Sequence, residues 1–138
     1  MPHLRTRLAV CLVFAFATPA GAQSYMVGTW FGQGQPHDRG EMWVAQMLAD
    51  GAFRVQFRTC RKGKATDQFE TGRWVLKEDL ETIDIATVNG QPLPRTDRYR
   101  ILSQDGRVQS YRYLRTGFVF TSHRVADGYR MPRCDLVS

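Results

Sequence analysis

The chain predicts an all-β fold, a small antiparallel up-and-down β-barrel of about eight strands, and two observations lead there. Apolar and polar side chains alternate along short segments, most cleanly in Ala52-Phe-Arg-Val-Gln-Phe-Arg-Thr-Cys60, where Phe53, Val55 and Phe57 oppose Arg54, Gln56 and Arg58. Turn signals separate these segments every ~8 to 15 residues, and no stretch carries the period of an amphipathic helix. Rolling such a meander into a barrel removes the edges that a flat sheet would expose. A two-sheet sandwich is the alternative that the same pattern allows.

At the N-terminus, Arg5 and Arg7 precede the apolar run Leu8 to Ala17, and small residues follow at Ala20-Gly-Ala22. This three-part pattern is that of a secretory signal peptide, with cleavage expected after Ala22 and a single domain over 23–138. The apolar run is too short for a retained membrane span, which needs about 20 residues. Leu8-Ala-Val-Cys11 resembles a lipoprotein acylation site, but Val10 is branched and the apolar run continues past the cysteine, so Cys11 is expected to leave with the signal.

The first strand is Val27-Gly-Thr-Trp-Phe-Gly-Gln33, and Gly32 to Gly40 reads as loop by composition. Glu41 to Leu48 lacks a clean polar face; the short connection Ala49-Asp-Gly51 into the next segment makes it a strand of a hairpin. After Cys60 a basic turn, Arg61-Lys-Gly-Lys64, leads into Thr66 to Lys77, one strand bent near Gly72 with Phe69 and Trp74 as its large residues. Leu80 to Val88 carries Ile83 and Ile85 on its buried side. Asn89-Gly90 is a hairpin signal, and Pro92 and Pro94 delay the returning strand to about Asp97. Arg98 to Leu102, Arg107 to Leu114 and Phe118 to Val125 complete the set, with Asp105-Gly106 and Thr116-Gly117 as turns.

With 43% hydrophobic and 23% charged residues in 138, the composition is that of one ordinary globular domain. Loss of the signal removes two arginines and no acid, so 17 basic side chains face 13 acidic ones, a balance of +4. That favours encounters with acidic partners. The two cysteines that remain, Cys60 and Cys134, are expected to pair in an oxidising compartment, the periplasm or beyond.

Gly28-Thr29-Trp30 on the first strand, with Arg124 on the last, resembles the lipocalin and calycin pattern, and Thr96-Asp97-Arg98-Tyr99 loosely resembles that family's second motif. The resemblance covers about ten residues and implies a reduced lipocalin-like barrel in which Trp30 packs beneath Arg124 and closes the base. It also implies an interior able to hold a small apolar ligand. Small eight-stranded barrels either fill themselves with side chains or keep such room. The candidate ligand-binding residues are Trp43, Phe57, Phe69, Trp74, Tyr99 and Phe120; Phe118 is also assigned to the interior.

Arg54, Arg58, Arg98, Arg100, Arg112 and Arg115, interleaved with Tyr99, Tyr111 and Tyr113, form a second constellation. Arginine beside aromatic rings forks onto carboxylates or phosphates and stacks on sugars or bases, but a solvated outer face covering apolar surface is the better expectation. Export argues against nucleic acid. Gly32-Gln-Gly34 lacks the third glycine and the helix of a phosphate loop. His37, Asp38 and Glu41, with His123, match no metal-site spacing, so no metal or cofactor is expected. Glu70, Glu78, Asp79 and Glu81 read as a solvated cluster about a turn, and no nucleophile motif is present.

The expectation is therefore an exported, non-enzymatic binding module for a small apolar or amphipathic molecule. The alternative is an envelope interaction factor that uses loops and a basic face against an acidic partner.

Overall fold

A computed structural model of the chain describes residues 25–35 and 38–136; the expected signal peptide, Cys11 and His37 lie outside them. Eight strands follow in order: β1 (Gly28–Gln35), β2 (Asp38–Met47), β3 (Ala52–Arg61), β4 (Lys64–Lys77), β5 (Leu80–Val88), β6 (Gln91–Gln104), β7 (Val108–Tyr113) and β8 (Val119–Val125). Each pairs antiparallel with the next, and β8 returns to β1 through Thr29–Val125, Trp30–Arg124 and Phe31–His123, closing the barrel. A 3-10 turn at Cys134–Leu136 ends the described chain.

The alternation that marked the strands decides which side chains enter the barrel. On β3, Phe53 and Val55 are buried while Arg54 is exposed. Their cross-strand partners continue the same lining, Met47 and Ala45 on β2 and Gly72 and Glu70 on β4. One end is plugged by Met26, Trp30, Met47, Phe53, Trp74 and Leu76, all nearly inaccessible. Burying side chains of this size stabilises the fold by about 1.5–3 kcal/mol each.

The bend predicted near Gly72 is present as a register shift between Thr71 and Gly72. A Cβ at Gly72 would overlap the Asp84 carbonyl oxygen, so only glycine lets the two backbones approach there. Asn89 and Gly90 both adopt positive φ, +50° and +76°, in a two-residue hairpin between Val88 and Gln91.

Two boundaries differ from the sequence reading. Gly32 to Gln35 and Asp38 to Gly40 are strand rather than loop: β1 runs to Gln35 and β2 begins at Asp38, with Gly34 (φ +65°) at a register shift. Gly32 reflects packing, since a Cβ there would overlap the Trp43 indole, whereas Gly34 supplies the positive φ. Likewise β6 begins at Gln91 rather than near Asp97. Pro92 and Pro94 fall beside the shift between Thr87 and Ile85, where the ladder is already interrupted and a missing N–H donor costs little.

The C-terminal tail crosses the outside of β1 to β3. Thr29 Oγ1 donates to Asp127 Oδ1 (3.0 Å), Phe31 meets the Tyr129 ring at 5.2 Å, Arg58 Nη1 donates to the Pro132 carbonyl (3.0 Å), and Cys60 bonds to Cys134 with Cα atoms 5.4 Å apart. Met42 and Val44, on the outer side of β2, are buried at 0% and 8% exposure. Both faces of β2 are thus covered, which is why that segment shows no polar face in the sequence.

Candidate functional site

Above the plug the interior is hollow, with a cavity of about 510 Å³. Trp43, Ala45, Val55, Phe57, Ile83 and Phe120 supply apolar wall, and the exposed Thr66, Gln68 and Asn89 line the outer end, where the cavity opens.

The base is closed as the resemblance implied. The Arg124 guanidinium lies over the Trp30 ring at 4.5 Å and donates to the carbonyls of Val27 (2.7 Å), Gly106 (2.7 Å) and Tyr25. Trp30 Nε1 donates to the Met26 carbonyl at 2.8 Å. A Cβ on Gly28 would collide with the same guanidinium, so the Gly-x-Trp spacing has a steric cause.

Of the six candidate lining residues, Trp43, Phe57, Tyr99 and Phe120 line the cavity. Trp74 faces inward but lies in the plug, where its Nε1 donates to the Leu48 carbonyl at 3.0 Å. Phe69 was misassigned: it is 51% exposed on the outer face. β4 keeps strict alternation through Glu70, Trp74 and Leu76, and that parity sends Phe69 outward. Phe118, which precedes β8, is also exposed.

The arginine–tyrosine constellation separates across the wall. Arg54, Arg98, Arg100 and Arg112 are exposed, while Tyr99, Tyr111 and Tyr113 line the cavity. Arg58 is partly buried in an ion pair with Asp67 at 2.7 Å, which holds the Asp67 carboxyl below its ordinary pKa. Inside, the rings form a continuous arc: Tyr113 stacks on Tyr99 at 5.0 Å, Tyr99 meets Tyr111 at 5.6 Å, Tyr111 meets Phe120 at 6.0 Å, and Phe120 meets Trp43 at 5.8 Å. Burial raises the pKa of both Tyr99 and Tyr111, so both stay neutral.

The carboxylates were the larger error. Glu70 and Glu81 are not solvated; they are 3% and 5% exposed, and Asp97 is 4% exposed. Toward the outer end, Arg95 links two of them, Nη2 to Glu70 Oε1 at 3.2 Å and Nε to Asp97 Oδ2 at 3.0 Å. Gln68 Nε2 donates to Glu70 Oε1 (2.8 Å), and the Tyr113 hydroxyl donates to Asp97 Oδ1 (2.8 Å). Glu81 sits apart, at the inner end, opposite Tyr99 on β6 and Leu76 on β4. Burial alone pushes its pKa up to about 7. Strand parity carried this signal, because Glu81 lies two residues before Ile83 and shares its face; the usual solvation of glutamate near a turn obscured it.

Across β7 and β8, Gln109 Nε2 donates to Ser122 Oγ at 3.2 Å, and the buried Gln109 Oε1 has no hydrogen-bond partner among the described residues. Among the described residues no group of His, Cys, Asp and Glu is arranged to hold a metal ion, and no helix is long and apolar enough to cross a membrane. Of the proposed metal ligands, Glu41 lines the cavity and His123 is exposed on β8.

These features define a class: a closed eight-stranded antiparallel β-barrel, plugged at one end, hollow above the plug and stapled by a disulfide. No known protein-family model matches the chain, and a search of curated proteins finds no match.

Proposed function

We propose that this chain is an exported, non-enzymatic, lipocalin-like binding module whose barrel holds one small apolar or amphipathic molecule. The observation that carries the reading is the cavity itself, about 510 Å³, walled by aromatic and aliphatic side chains among polar ones and open at one end. That volume falls in the range of small-molecule sites, about 300–1,000 Å³. The Trp30–Arg124 closure supports the lipocalin-like assignment, and the Cys60–Cys134 bond supports an oxidising compartment.

Native mass spectrometry of the protein taken from the periplasm of expressing cells tests the reading. Retained small-molecule mass, released on unfolding, is the expected result. Ala45→Trp, which places an indole in the cavity, should abolish that mass and weaken binding of an apolar fluorescent dye by about tenfold or more. A protein that carries no such mass and binds no dye overturns the proposal. A salt-sensitive protein complex in its place would instead favour the outward arginines as the working surface.

A further inference from the structure

The barrel's interior has a charge character opposite to that of the whole chain. The sequence is net positive, yet Glu41, Asp67, Glu70, Glu81 and Asp97 line the cavity; Arg95 faces Glu70 and Asp97, Arg115 lies 3.5 Å from Asp97, and Arg58 pairs with Asp67. Arg95 is engaged with Glu70 and Asp97 near the outer end. Glu81 lies deeper. The titratable side chains electrostatically coupled to it are the Tyr25, Tyr99 and Tyr111 phenols, all neutral, and its β4 partner is Leu76. The guanidinium that the described residues place at the plug, Arg124, is committed to three backbone carbonyls and the Trp30 face. A buried carboxyl with no cation beside it among the described residues is an expensive arrangement, and Gln109 adds a second buried acceptor, Oε1, on the same cavity.

We propose that the ligand is an amine on an aromatic or apolar body, its ammonium group held by the Glu81 carboxylate at the inner end of the cavity. This deepens the binding reading above and rests on it. A primary ammonium has three N–H donors, enough for Glu81 and for the Gln109 oxygen. The arc of Tyr99, Tyr111, Phe120 and Trp43 supplies ring faces, which attract a cation within about 6 Å. The apolar body then covers Phe57, Val55 and Ile83.

Proton linkage follows. With its pKa near 7, Glu81 is largely protonated in mildly acidic solution. On binding, the carboxyl releases its proton to solvent, the ammonium keeps its own, and an ion pair forms. Amine affinity should therefore rise with pH through about 7 and level off above it.

The test uses two probes of one shape, 2-phenylethylamine and 2-phenylethanol, titrated calorimetrically into the mature chain at about pH 5.5 and about pH 8. The expected result is that the amine binds on the order of tenfold tighter than the alcohol at the higher pH and loses most of that preference at the lower. Glu81→Gln should erase the preference at both. Equal binding of the two probes at the higher pH, or a preference that pH does not move, overturns the amine assignment while leaving the barrel a binding module. Failure of both probes and of an apolar dye overturns the assignment and the binding reading together. The pH series needs no variant, so the outcome stands even where Glu81→Gln does not fold.

Discussion

Trp30 shows how much of this fold hangs on single side chains. Its indole is 1% exposed, hydrogen-bonded to the Met26 carbonyl and covered by Arg124. Trp30→Ala would open a void in the plug and leave a guanidinium without its ring, so unfolding by denaturant should show a loss of about 3–5 kcal/mol. A loss under ~1 kcal/mol would remove the closure role. Glu81 makes a residue-scale prediction of the opposite kind. Its folded pKa, about 7, lies above the ordinary 4.5, so the folded chain binds the proton more tightly than the unfolded one. The stability it contributes is fully present below about pH 4.5 and is lost as pH rises to about 7. In the ligand-free protein that loss is on the order of 3 kcal/mol, and Glu81→Gln should flatten the slope of melting temperature against pH in this window. Identical slopes in the two proteins would show that Glu81 is not buried as described.

Among the elements, the tail matters most. It is pinned at Asp127, Tyr129, Pro132 and Cys134, and it covers Met42, Val44 and Phe31, residues that a bare barrel would expose on its outer face. Reduction of the disulfide removes a crosslink spanning 74 residues, worth about 4 kcal/mol in the chain-entropy model. The expected outcome is a lower denaturation midpoint together with faster amide exchange in β2, whose outer face loses its cover. A reduced protein with unchanged exchange in β2 would mean that the noncovalent anchors suffice. The tail also shows where alternation misleads. A strand buried on both sides shows no polar face, so β2 was recognised by its hairpin rather than by its pattern.

At the scale of the molecule, strand number and most turn positions were legible in the sequence because they rest on local chemistry, and the Cys60–Cys134 pair because two cysteines remain beyond the expected signal peptide. Alternation places side chains on two faces, and Asn-Gly and Asp-Gly supply positive φ without strain. The Trp30–Arg124 pair was legible too, through resemblance. What local chemistry does not contain is the set of partners that closure brings together. Whether Glu70 meets Arg95, or Tyr113 meets Asp97, depends on strands that approach only once the sheet has curled. The hollow is of the same kind. Eight strands set a barrel's girth, but the sum of its lining side chains decides whether room remains, and here an alanine and several short polar residues leave about 510 Å³. The sequence by itself therefore determined the strands and the staple, since neighbours along the chain dictate alternation and turns, and two cysteines are left to pair beyond the expected signal peptide. Tertiary structure alone decided that the interior is hollow, aromatic and acidic, because burial and pairing are properties of residues distant in sequence that share one enclosed space.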